Sequence, residues 1–123
     1  MAVIITDGGL KGVIRKIIPF IERHEVSEFN IENGTNLEGT HTCYLKIGRL
    51  VYVTLSGILT TDSTSQVKIT GLPKPLYRVN TCLFSNRSFF CIGMFSTDDG
   101  AFWTMTTGQI ECLYGSFLYI AEE

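Results

Sequence analysis

From residue 38 onward the chain holds only two alanines, Ala101 and Ala121, while Thr, Val, Ile and aromatic residues fill short runs between turn-forming residues. Side chains branched at Cβ lose rotamer freedom in a helix but pack well on a pleated surface, as aromatic rings do. This feature confines the body of the chain to the all-β class. Strands are predicted over residues 41–47, 50–58, 66–70, 78–85, 88–96, 101–107, 109–114 and 117–121. Alternation is cleanest where Val51, Val53 and Leu55 share one face with Tyr52, Thr54 and Ser56 opposite, and where Phe102, Thr104 and Thr106 oppose Ala101, Trp103 and Met105. Turn chemistry separates these runs: Asn33-Gly34, Gly48-Arg49, Asp62-Ser63, Asn86-Arg87, Asp98-Asp99-Gly100, Gly108 and Gly115-Ser116. Short strands at roughly 8–12-residue spacing predict an antiparallel β-sandwich or jelly-roll-like head over residues 31–123.

Two segments constrain this head further. Leu72-Pro73-Lys74-Pro75 reads as a rigid connection between its halves, because neither proline can donate to a ladder. Ser88 to Phe95 is apolar on both faces, so one face is expected to meet the second layer of the sandwich and the other the N-terminal segment or another subunit.

The N-terminal region reads differently. Leu10, Val13, Ile14, Ile17, Ile18 and Ile21 recur at three- and four-residue spacing, which places them on one stripe of an amphipathic helix that Pro19 ends or kinks. A helix this short is marginal alone. Its stripe needs a partner, either its own domain or neighbouring copies of itself; Ile at both core positions of a heptad favours trimers. Residues 1–30 are therefore expected to be a helical and linker segment for trimerisation, with Leu10, Val13, Ile14, Ile17 and Ile21 at the subunit interface.

Composition supports association. The 123 residues are 45% hydrophobic and 18% charged, against a usual charged share of ~25%, so apolar side chains exceed what one small core easily hides. A net charge of −2 provides no electrostatic footprint for a nucleic-acid backbone. No apolar run approaches the ~20 residues of a membrane-spanning helix, and no basic n-region precedes an apolar stretch of the kind a secretory signal carries. Cys43, Cys82, Cys91 and Cys112 include no C-x-x-C pair and lie in apolar or alternating runs, so they are expected to be reduced and buried.

Catalytic chemistry requires a nucleophile with a base, a carboxylate pair, or metal ligands at usable spacing. His24 and His41 have no neighbouring ligands at metal spacing, and Asp98-Asp99-Gly100 reads first as a hairpin turn. No phosphate-binding glycine loop or nucleophile elbow occurs, and the carboxylate-lined cleft of a glycan-cleaving enzyme is not visible. No cofactor or metal is expected. Binding chemistry remains: Trp103 and Tyr77, with Arg78, Arg87, Asp98 and Asp99, form a kit that could stack on sugar rings and bond their hydroxyls, although each residue alone also suits core packing or a surface turn.

The stretch from Glu32 to Val53 resembles the entry to the C-terminal head domains of tail fibres and receptor-binding proteins of tailed bacteriophages and prophages. An Asn/Gly-rich turn leads into a strand with Tyr44, Lys46 and Gly48, and a second strand follows with Val51, Val53 and Gly57. Ile69-Thr70-Gly71-Leu72-Pro73-Lys74-Pro75 is similar to a connection in such proteins, Gly108-Gln109-Ile110 to a strand entry, and Phe117 to Ala121 to a terminal strand. The resemblance implies a non-enzymatic homotrimer in the virion tail, assembled in the bacterial cytoplasm and joined to other tail or baseplate proteins. Its heads would bind a host cell-surface glycan or protein. A structural baseplate or fibre module is the alternative. Receptor contacts vary with host range in such heads, so the resemblance transfers no binding residue.

Overall fold

The computed structural model describes residues 21–37, 42–61, 64–86, 91–104 and 110–123. Within them the chain is all-β: β1 (Glu22–Glu25), β2 (Asn30–Glu32), β3 (Gly34–Asn36), β4 (Cys43–Ile47), β5 (Leu50–Thr60), β6 (Lys68–Thr70), β7 (Val79–Ser85), β8 (Cys91–Phe95), β9 (Phe102–Thr104) and β10 (Cys112–Ile120). The pairings of these strands are antiparallel, in the order β1-β4-β5-β10-β7-β8-β9-β6-β2, with β3 against the far end of β5. The two layers expected of a sandwich are thus halves of one curled sheet, bridged by β7. The curl follows from connectivity: β1 and β2 stand at opposite ends of the order, yet only residues 26–29 join them, so the ends of the sheet must approach one another.

Hydrophobic burial sets the inward face. Val51, Val53 and Leu55 are buried while Tyr52 is 41% exposed, as the alternation predicts. Gly57, at φ 134°, then breaks the parity, and Ile58 and Thr60 point inward in its place. The partner register slips at the same point, from Leu113 opposite Ile58 to Tyr114 opposite Ser56, which identifies a β-bulge with Gly57 as the extra residue. Inside, a run of rings fills the sheet: Phe95 meets Phe102 and Tyr119, Phe102 stacks on Phe117 at 4.8 Å, and Phe117 stacks on Tyr119.

Several expectations change. The stripe residues Leu10, Val13, Ile14 and Ile17 lie outside the described residues; Ile21 is half-buried just ahead of β1. The sheet reaches back to Glu22, ahead of the expected boundary at residue 31. Gly115-Ser116, expected as a turn, lies inside the continuous β10. A Cβ on Gly115 would stand 2.5 Å from Leu83 Cδ2, so this glycine serves close packing between strands. Cys43 and Cys112 are buried and reduced as expected, but Cys82 is exposed, opposite Ile92 on the outer face. The proline segment behaves as an edge: Glu122 N–H donates to the Lys74 carbonyl at 2.8 Å and Leu76 N–H to Ile120 at 2.8 Å, so neither proline is asked for a donor.

The outer face is unusually apolar. Cross-strand rows place Ile47, Leu50 and Ile120 side by side, then Tyr52 with Leu118, then Tyr114 with Phe84, and Ile92 beyond. Each of these side chains is between 40% and 66% exposed. The expected double cover of the strand at 88–96 is met on one side only among the described residues: Phe95 is fully buried, and Ile92 is open at 48%.

Candidate functional site

At the end of the inner face, where the aromatic core stops, β1 and β4 open into a cleft of about 460 Å³. The register places Glu22 opposite Lys46 and His24 opposite Tyr44, so all four side chains share this face. Pro73 and Lys74 form another part of the lining, together with Glu122 and Glu123. That part is anchored from within the fold: the Tyr119 hydroxyl donates to the Pro73 carbonyl at 2.7 Å. Burial pushes the Tyr119 phenol well above its ordinary value, so it stays a neutral donor.

The lining mixes donors and acceptors. Lys74 pairs with Glu122 at 3.7 Å. His24 stacks on Tyr44 with ring centroids 4.5 Å apart and nearly parallel planes. Its Nδ1 lies 3.0 Å from a Glu28 carboxylate oxygen and its Nε2 3.5 Å from one of Glu22. The Glu28 hydrogen bond raises the His24 pKa above 6.5, with Glu22 adding to it and partial burial opposing it. Glu28 also closes a capping box with the Glu25 backbone around the short 3₁₀ turn at Val26–Glu28, which holds its carboxylate in place. The same ring pair continues to Phe29, stacked on Tyr44 at 5.5 Å. Such a cleft can bond a ligand rich in hydroxyls from both directions, and its near balance of charge sets no strong demand on the ligand's own charge.

The residues expected from the sequence stand elsewhere. Trp103 and Asp99 come together: the indole N–H donates to the Asp99 carboxylate at 3.1 Å, and Ala101 N–H donates to the same group at 3.0 Å. These bonds, the Ala101 amide first, hold the Asp99 carboxyl below its ordinary value. The Lys68 ammonium lies 4.9 Å from the Trp103 ring centroid, so one face of the indole is already covered. Asp98 has a turn role, its N–H donating to Ser96 Oγ. Tyr77 is 73% exposed on the loop before β7, with no described contact to Trp103 or Asp99. Arg87 lies outside the described residues.

The cleft residues escaped sequence reasoning because they come from four separated stretches, near residues 22, 44, 73 and 122, and share no motif spacing. Contrary to the expectation that His24 has no neighbouring ligands, glutamates flank it at 22, 25 and 28, and two of them pair with it; this was the one local signal, in a stretch without hydrophobic alternation. Among the described residues no three His, Cys, Asp or Glu side chains gather as a metal site, and no helix is long and apolar enough to cross a membrane. No family model, curated protein or solved structure matches the chain.

Proposed function

We propose that this chain is a non-enzymatic receptor-binding head of a phage tail fibre or baseplate, which attaches the particle to a host cell-surface saccharide or protein as part of a homotrimer. The cleft between β1, β4 and the 73–74 segment carries this reading. It is an open cleft whose volume falls in the size range of small-ligand sites, roughly 300–1,000 Å³, lined by Lys46 and Lys74 as donors and by Glu22 and Glu122 as acceptors. The all-β head and the resemblance over residues 32–121 support it. Calorimetry of the full chain against a panel of bacterial capsular and wall polysaccharides tests it. Binding should weaken at least tenfold in Glu22→Gln/Lys46→Ala with the circular dichroism spectrum retained, whereas binding that is absent throughout, or indifferent to this pair, sinks the cleft as the site.

A structural role in the same particle is the second reading, favoured by the exposed apolar outer face. A chain that only joins proteins would bind no polysaccharide and would still assemble.

A further inference from the structure

We propose that the outer face of β4, β5, β10 and β7 is the surface on which a second copy of this chain packs. The face is defined by pairing. Leu50 lies beside Ile120, Tyr52 beside Leu118, and Tyr114 beside Phe84, each pair projecting from the side opposite the core. With 40–66% of each residue open, these six and the flanking Ile47 and Ile92 present on the order of 700 Å². A standard protein interface takes about 800 Å² from each partner, whereas the largest apolar patch on an ordinary monomer is roughly 300–600 Å². The area therefore exceeds an ordinary monomer patch and approaches one side of a complete interface.

Charge selects the occupant. The outward positions of β5 are Leu50, Tyr52, Thr54, Ser56 and Leu59, and those of β10 are Tyr114, Ser116, Leu118 and Ile120; neither set contains a charged residue. The same holds for Cys43, Leu45 and Ile47 on β4 and for Asn80, Cys82 and Phe84 on β7. Charges return at the edge strand β1, where Arg23 and Glu25 pair at 2.6 Å on the same side. An apolar centre with a charged rim is the anatomy of a protein interface. A copy of the same face meets it in a two-fold contact, additional to a three-fold contact through the N-terminal segment, with no like charges opposed and no charge desolvated, while an acidic or basic partner would find nothing to pair with.

This contact lies on the sheet, whereas the resemblance would place the subunit contact in the N-terminal segment, and it stands whether or not the cleft binds a ligand. Sedimentation velocity and light scattering of the full chain between 1 and 100 μM test it. The mass should be an even multiple of 13.7 kDa, as a two-fold contact requires. Leu118→Asp and, separately, Phe84→Asp should raise the dissociation constant at least tenfold, and Lys68→Asp, on β6 and outside these four strands, should not. Leu118 is 58% exposed and Phe84 66%, so neither change opens the core, and an unchanged melting profile of the dissociated species confirms it. A monomeric wild type, as expected if the chain's own Leu10 to Ile21 stripe covers the face, overturns the proposal. So does an oligomer indifferent to both substitutions, which would leave assembly to the N-terminal segment.

Discussion

Replacing Gly93 by alanine tests the packing of the β8–β9 layer through the sign of its effect. Gly93 has no positive φ, so its backbone suits any residue, and alanine there would ordinarily stabilise by about 0.5–1 kcal/mol through the unfolded chain. The structure opposes this. A Cβ at position 93 would lie 2.4 Å from Cζ of Phe102 and 3.0 Å from Cε2, about 1 Å inside van der Waals contact. The ring has little room to yield: Phe102 is fully buried, stacked on Phe117 at 4.8 Å and edge-on to Phe95 at 6.0 Å. Overpacking of this kind costs about 1–3 kcal/mol. With roughly 3–5 °C of melting temperature per kcal/mol in a domain of this size, the midpoint should fall by about 3–15 °C in a thermal melt followed by circular dichroism. Phe102→Leu alone leaves a cavity and destabilises too, but combined with Gly93→Ala it makes room for the methyl. The double mutant should therefore be more stable than the two single losses added together, by at least about 0.5 kcal/mol. A Gly93→Ala protein that melts at or above the wild type, or strictly additive losses, would refute the close approach of ring and glycine.

Further outcomes follow from His24 and from the cysteines. His24 should titrate above 6.5 by NMR and return toward that value in Glu28→Gln; a wild-type midpoint at or below 6.5 contradicts the pairing. Because the folded His24 pKa is raised, the pair's contribution is complete below pH 6.5 and is lost as pH rises through the folded value. Because the Glu28 pKa is lowered from 4.5, it is also lost on acidification below that point, so the short turn should be best held between about pH 4.5 and 6.5. At protein concentrations below those at which the chain associates, thiol labelling with peptide mapping should modify Cys82 in the folded protein and Cys43 and Cys112 only on unfolding; rapid native labelling of Cys112 would contradict its burial.

The all-β class, the boundaries of β4, β6 and β7 to within two residues, and the inward parity of β5 up to Leu55 were legible in the residues. Each rests on local chemistry: alternation toward a half-buried surface, and turns such as Gly48 at φ 58° and Asp98-Asp99-Gly100 with Gly100 at φ 65°. Strand β1 was not legible, since Glu-Arg-His-Glu has no alternation and becomes a strand only because β4 supplies its ladder and Tyr44 a ring for His24. Of the expected ligand kit, the Asp99–Trp103 bond is present, but it braces the turn and leaves the cleft to other residues.

Residue order alone makes this chain a β protein with more apolar surface than one core needs. It also determined which side chains alternate inward along β5, because period-two burial is written in consecutive residues. The residues that gather at the cleft and those that line up on the outer face are set by long-range pairing. The curl of the sheet joins residues near 22, 44, 73 and 122 into one cleft, and the pairing of β5 with β10 lines up Leu50, Tyr52, Leu118 and Ile120 on the outside. Both depend on long-range register, which is set by which strands share hydrogen bonds and by the bulge at Gly57 rather than by any local pattern.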